Sequence, residues 1–471
     1  MEKNCFIFTT LMLSLVFVFN GCNPGGSETD SPENPTINPQ GNFVWVCKGG
    51  GSLYDTGCAI AVDSNNNLYT AGFFEGSAVF GNTSLIAYGN ESYDIFIAKY
   101  DSVGNLIWVK QAGSDDYDEG LSITTDNLDN FYVTGYFKGT AAFGGASLTS
   151  SGERDIFIGK YDSSGNLIWV KQAGGSGDDE GSSITTDNAN NVLVTGSFVD
   201  ITAFENNAMT SNGSSDIFIA KYDSSGNLLW VKQAGGPSFD RGYSVTTDNS
   251  DNFYVTGYFK GTAAFGDTSI TTYGDRDVFI AKYDSSGNLL WIKQGGGSYW
   301  DYGYSLTTDY LNNVYITGSF FESAVFDGTS LTSAGHNDIF IAKYDSSGNL
   351  IWVKQAGGTS YDRGKSIIAD NSGNIYLTGH FKTNTTFENT FFSAYGQYDI
   401  FIARYDSNGN LIWVKQAGGD DYDEGCSITR GNDNSIYVTG AYSCYYQAAR
   451  FYDISLTSEY FDFFVGKIVE K

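Results

Sequence analysis

Seven aspartates, Asp55, Asp118, Asp179, Asp240, Asp301, Asp362 and Asp423, each stand two residues before a glycine and are the first candidates for chemistry. Carboxylates divide into general acid and general base only where their surroundings push their pKa values apart. Seven copies in like sequence contexts offer no such division, so their expected role is local: accepting backbone N–H groups at a turn or strand entry. The chain has 2 histidines, His336 and His380, in unrelated parts of different repeats, and no Cys/His spacing suited to zinc. DDYDEG at 115–120 and 420–425, with GDDEG at 177–181, gathers carboxylates that hard cations favour, but the spacing misses the calcium-binding helix–loop–helix pattern. No catalytic residue and no cofactor are therefore expected. A calcium ion in the acidic loops is the alternative.

Chemistry that differs around the repeats begins one residue later. The residue after each aspartate is Thr56, Glu119, Glu180, Arg241, Tyr302, Arg363 or Glu424. Glutamates thus fall on one run of repeats, and Arg241, Tyr302 and Arg363 on another. Loops opening on the same face add Arg276, His336 and Tyr398, with Trp300 nearby. Arginine and aromatic side chains concentrate binding energy at interfaces, which makes these seven residues the expected ligand patch. Unselected drift at exposed positions is the plain alternative.

What positions these residues is an internal repeat. The aspartate opening DIFIAKYD falls at 94, 155, 216, 277, 338 and 399, a period of 61, and returns as DFFVGKI at 462. The tryptophan of NLIWVKQ recurs at 45, 108, 169, 230, 291, 352 and 413. Composition agrees with short aromatic strands joined by turns: 58 Gly, 33 Tyr and 34 Phe against 3 Met. Each repeat reads as four main strands, with TAAF and SLTS as short extras in a long loop. DSSGN forms a hairpin whose glycine takes a positive φ. The DIFIGKY and LIWVKQ strands are apolar on both faces and must be covered twice. Sheets sandwiched between neighbouring sheets describe an all-β fold, a seven-bladed β-propeller of about 61-residue repeats. NFVWVCK at 42–48 matches the WVKQ strand alone, whereas the C-terminus stops after DFFVGKI. The N-terminal strand is expected to close the ring as the outer strand of the last blade.

DIFIGKYDSSGNLIWVKQAGG followed by DEGSSITTDNANNVLVTGSF resembles the bacterial seven-bladed beta-propeller repeat family, SBBP, over residues 42–471. The resemblance implies the fold and no defined activity.

The ends and the charge bound the location. MEKN followed by an apolar run reads as a signal peptide over 1–21, and FNGC at 19–22 resembles the lipobox of bacterial lipoproteins, which makes Cys22 the expected lipidated first residue. Residues 22–41, rich in Pro, Gly and Ser, read as a linker. A net charge of −28 leaves no basic stripe for nucleic acid and disfavours anionic membranes, so membrane attachment is expected only through the N-terminal lipid. Cys47, Cys58, Cys426 and Cys444 gather in the first and last repeats, and Cys58–Cys426 with Cys47–Cys444 is the expected disulfide pairing. The expectation is an exported cell-surface or periplasmic outer-membrane lipoprotein, a non-catalytic binding or adhesion scaffold for a protein or glycan. An extracellular polysaccharide-acting enzyme and a structural surface-layer repeat protein are the alternatives.

Overall fold

The computed structural model describes residues 23–24, 41–89, 92–444, 446–458 and 460–470, and among these there is no helix. The expected signal peptide, the lipidation at Cys22 and most of the linker lie outside the described residues.

The period seen in the sequence is one antiparallel unit of four strands. The unit that begins at Arg241 runs Arg241–Thr247, Phe253–Phe265, Thr268–Tyr283 and Leu289–Gly297, each strand paired with the next. The third strand forms where it does because both its faces are apolar: in the preceding unit Ile217 and Phe218, on opposite faces, are both fully buried. In the DSSGN hairpin Asp223 Oδ1 accepts the N–H groups of Ser225 and Asn227, each at 2.9 Å, and Gly226 turns at φ 84°. A side chain at Gly226 would be strained by that φ and would lie 2.9 Å from the Trp169 ring of the preceding unit.

The extra segments of the long loop are strands with a purpose. The hairpin that extends the second and third strands pairs with the fourth strand of the unit before it, as in Ala234↔Phe265 and Gly235↔Ala264. That edge would otherwise stand open. The N-terminal strand Asn42–Gly51 pairs with Phe461–Val469, from Asn42↔Val469 to Gly49↔Phe463, and supplies the fourth strand of the last unit. Its far edge is covered in turn by the hairpin of the first unit, through Gly49↔Phe80.

Packing joins unit to unit. One core cluster combines Ile217 and Ile219 with Val245, Phe253, Val255 and Phe279 of the following unit. Another combines Tyr437, Phe463 and Val465 of the last unit with Leu68, Phe74 and Phe96 of the first. First strands of successive units lie side by side without a backbone ladder. A serine hydroxyl bridges them, as from Val245 N–H to Ser183 Oγ at 3.2 Å and from Ile60 N–H to Ser427 Oγ at 3.3 Å.

That spacing corrects the expected disulfides. Cys58, Cys426 and Cys444 are free thiols, and Cys47 is disulfide-bonded, so neither expected pair forms. Cys58 and Cys426 sit on neighbouring first strands held apart by an intervening side chain, whereas a disulfide needs Cα atoms usually within about 4.4 to 6.8 Å. Each thiol instead turns back toward a carbonyl of its own strand, Thr56 and Glu424 respectively. Cys444 is engaged within its own loop, where the Ser458 N–H donates to its sulfur at 3.0 Å.

Candidate functional site

The recurring aspartates set the frame of the site without lining it. Asp240, fully buried, accepts the N–H of Gly236 at 2.7 Å and of Lys260 at 2.9 Å, which fixes where the first strand begins. A second buried aspartate lies beside each one. Asp277, within a third strand, accepts from Gln294 Nε2 at 2.5 Å and Tyr273 N–H at 2.9 Å, and its other oxygen has no hydrogen-bond partner among the described residues. Gly296 separates Asp277 from Asp301 so closely that an added Cβ would come within 2.7 to 2.9 Å of both carboxyl groups. Burial raises Asp301 to about 7, more than the Gly297 and Phe321 N–H groups lower it, and Asp277 adds to the rise. These are buried structural groups with no access for a substrate.

The residue after each first-ring aspartate emerges at the end of a first strand, and there the units differ. Arg276 donates to the Tyr302 hydroxyl at 2.6 Å and covers the Tyr258 ring at 5.0 Å. Tyr302 stacks on Tyr304 at 5.6 Å, and Tyr243 bridges Tyr258 at 5.7 Å and Tyr304 at 5.4 Å. Arg241 pairs with Glu180 of the preceding unit and lies over the Tyr243 ring. Further along, Glu424 accepts from Lys365 at 2.6 Å and from the Tyr422 hydroxyl at 3.0 Å, with His380 Nδ1 at 3.5 Å. Burial alone would raise Glu424, but Lys365 and His380 outweigh it and hold the carboxylate well below its usual range. Burial lowers the pKa of His380, 2 % exposed, against the opposing pull of Glu424. The side chain of Arg363, half-buried on the strand paired with His380, has no hydrogen bond or ion pair among the described residues.

The expected ligand patch therefore divides. Arg241, Arg276, Tyr302, Arg363 and Tyr398 converge at the first-strand ends, with Tyr398 packed against His380 at 5.2 Å and Tyr422 at 4.7 Å. Trp300, 52 % exposed, stands outside that convergence. His336 belongs to a separate exposed stack, between Phe321 at 5.8 Å and Tyr361 at 4.6 Å. At the two ends of the glutamate run, Glu180 pairs with Arg241 and Glu424 with Lys365 across unit boundaries.

Sequence reasoning missed Tyr243, Tyr304 and Lys365. Each occupies a β-bulge between a glycine and a serine, where the pairing register skips one residue. The signal was present as the variable position of Gly-x-Ser, which reads Ser182, Tyr243, Tyr304, Lys365 and Cys426 in successive units.

Open grooves elsewhere are architectural. A cavity of about 310 Å³ between Lys48 and Trp108 recurs one unit on between Lys110 and Leu167, at about 210 Å³. Among the described residues no group of three or more His, Cys, Asp or Glu is placed to hold a metal ion, and no helix is long and apolar enough to cross a membrane.

The SBBP beta-propeller repeat matches residues 168–197, 229–258 and 351–380. An uncharacterized WD repeat-containing protein of Acanthamoeba polyphaga mimivirus is 24 % identical over 86 % of this chain and 36 % of its own length. The regulatory protein FlaEY of Caulobacter vibrioides is 26 % identical over 22 % of this chain and 12 % of its own. The chain thus spans about a third or less of the length of these curated relatives. Among solved structures, the Pan2 WD40 domain of Neurospora crassa aligns over 87 % of this chain and 88 % of its own, with 9 % identity and a TM-score of 0.43. The polysaccharide lyase Uly1 aligns over 94 % of each chain, with 9 % identity and a TM-score of 0.42. The chain thus carries SBBP beta-propeller repeats.

Proposed function

We propose that the chain is a non-catalytic recognition scaffold: a closed ring of seven blades, exported, that binds a ligand at the mouth formed by the first strands. Closure is supported by bonds that treat the last and first units like any neighbours. Lys467 Nζ reaches the Ser102 carbonyl of the first unit at 3.2 Å, as Lys160 reaches Ser224 at 3.1 Å. The Asn432 N–H likewise donates to Asn66 Oδ1 at 2.7 Å, as Asn249 donates to Asn312 at 3.2 Å. The observation that carries recognition is the convergence of Arg241, Arg276, Tyr243, Tyr302 and Tyr304 on one side of the mouth, in a fold whose other recurring residues are spent on structure.

The test is an array of glycans and proteins probed with the mature chain. Replacing Arg241 and Tyr302 together by Ala should abolish binding of whatever the array yields while leaving melting almost unchanged. Retained binding ends the proposal. One observation favours an enzyme instead: buried His380 beside Tyr398, Tyr422 and Arg363 resembles a proton-transfer set. Release of products from an acidic or neutral polysaccharide by the wild type, lost in His380→Ala, would establish that reading.

A further inference from the structure

Most cations at the mouth have an acidic partner; the side chains of Arg363 and Lys382 have none among the described residues, and Lys382 lies over the Tyr398 ring at 4.8 Å. Lys365 is held by Glu424 at 2.6 Å and Arg241 by Glu180. Arg276 has the Tyr302 hydroxyl at 2.6 Å and Asp275 at 3.7 Å, and Arg154 has Asp178 at 4.0 Å. Glu424 is itself saturated by Lys365, Tyr422 and His380, so it leaves no charge over for Arg363. The Arg363 Nε is buried without a partner. A guanidinium carries five donors in a planar fork, and burying one of them without a partner is costly. Around it stand Tyr304, Tyr398, Tyr422 and Glu424, and among the described residues the hydroxyls of Tyr304 and Tyr398 have no hydrogen-bond partner. The Arg363 side chain therefore presents a planar fork with no carboxylate of its own, beside two hydroxyls able to donate.

We infer that Arg363 is the receptor for a carboxylate carried by an acidic sugar residue of the ligand. The inference rests on the recognition proposal and names the ligand chemistry for the same mouth. With Glu424 beside Arg363, a singly charged anion is met more readily than a phosphate dianion. The fork of a guanidinium fits the two oxygens of a carboxylate in parallel bonds, with the hydroxyls of Tyr304 and Tyr398 serving the remaining lone pairs. A sugar is favoured as carrier because aromatic rings adjoin the charge: Tyr304, stacked on Tyr302, and Tyr398 with Tyr422. The chain's net charge of −28 would repel a polyanion everywhere else, which confines such a ligand to this place.

The experiment is calorimetric titration of the full mature chain with hexagalacturonate, its methyl ester, and hexaglutamate. The acid sugar should bind the wild type, and the ester, which keeps the rings and loses the charge, should bind at least about tenfold more weakly. Arg363→Met should bring the acid sugar down to the level of the ester. Arg363→Lys, which keeps charge but loses the fork, should fall between. Unchanged melting temperature in both variants keeps a folding defect from imitating the result. Equal affinity for acid and ester, unchanged affinity in Arg363→Met, a preference for hexaglutamate, or no binding of either sugar each overturns the inference. If an array ligand needs Arg241 and Tyr302 but not Arg363, the recognition proposal survives and the carboxylate site falls. If that ligand ignores all three residues, both fall.

Discussion

The boundary between units in mid-chain and the boundary of the last unit solve one problem in two ways. In mid-chain the lysine of a third strand reaches a serine carbonyl in the DSSGN hairpin of the next unit: Lys282 to Ser346 and Lys343 to Ser407, both at 3.1 Å. The indole N–H of the same unit often meets that carbonyl too, as Trp352 does at 3.3 Å. The last unit has no such hairpin, because its third strand ends near the C-terminus and its fourth begins near the N-terminus. There the lysine is replaced by Arg404, and Glu470 takes the place of the missing carbonyl. It accepts from Arg404 at 2.9 Å, from Trp413 Nε1 at 2.7 Å and from the Tyr376 hydroxyl at 3.0 Å. Where covalent continuity is lost, a carboxylate and a guanidinium restore the same contact by charge.

The difference invites removal of the strand that makes it necessary. A chain beginning at residue 52 should lose cooperative melting or melt far below one beginning at residue 41, measured by calorimetry. Equal transitions would show that the N-terminal strand is dispensable. Next come core substitutions on either kind of boundary. Phe463, fully buried against Phe80 at 5.2 Å and Phe96 at 4.8 Å of the first unit, should cost about 3–5 kcal/mol on replacement by Ala. Ile217→Ala, in mid-chain, should cost about 2–5 kcal/mol by denaturant unfolding. A Phe463→Ala cost below 1 kcal/mol would mark the boundary of first and last units as loosely packed.

Acidity acts on every boundary alike and so sharpens what is common. Burial raises Asp55 and Asp362 to about 8, and Asp118 and Asp179 to about 7, above the ordinary 3.8 of the unfolded chain. A raised acid binds its proton more tightly when folded. The penalty for ionising it is absent below about pH 4, grows as pH rises, and is complete above about pH 8. Melting temperature should therefore be higher at pH 5.5 than at pH 8.5. The slope should persist in 1 M salt, which limits surface charge interactions to about 3 Å. A flat profile in salt would mean that the buried aspartates keep another partner. The smallest effect belongs to the substituted contact itself: Glu470→Gln should cost about 1–2 kcal/mol, since Arg404 and Glu470 remain partly exposed. A comparable loss in Lys343→Met would show the two solutions to be energetically alike.

The strands, their period and the pairing of residues 42–48 with the last DFFVGKI strand were legible because burial on two faces leaves a repeating apolar signature. So was the local role of Asp240 and its counterparts, which follows from aspartate's reach to nearby N–H groups. The pairing of charges was not legible. Glu180 with Arg241 and Glu424 with Lys365 are about one repeat apart in the chain and become neighbours only when units pack side by side. For the same reason the sequence grouped His336 with Arg363, though the former stacks on Phe321 and Tyr361 at the rim. The free thiols of Cys58 and Cys426 depend on a spacing between first strands that only the bridging serines set.

The bulge between glycine and serine has a consequence for how such a chain can change. Its residue is excluded from the pairing register, so exchanging it leaves the ladder bonds on either side in place. A gene lengthened by copying one unit begins with identical codons at every such position. A few single substitutions there, to Tyr243, Tyr304 or Lys365, turn a symmetric surface into a directional one without renegotiating the framework. Duplication supplies the architecture, and the skipped residue supplies the individuality.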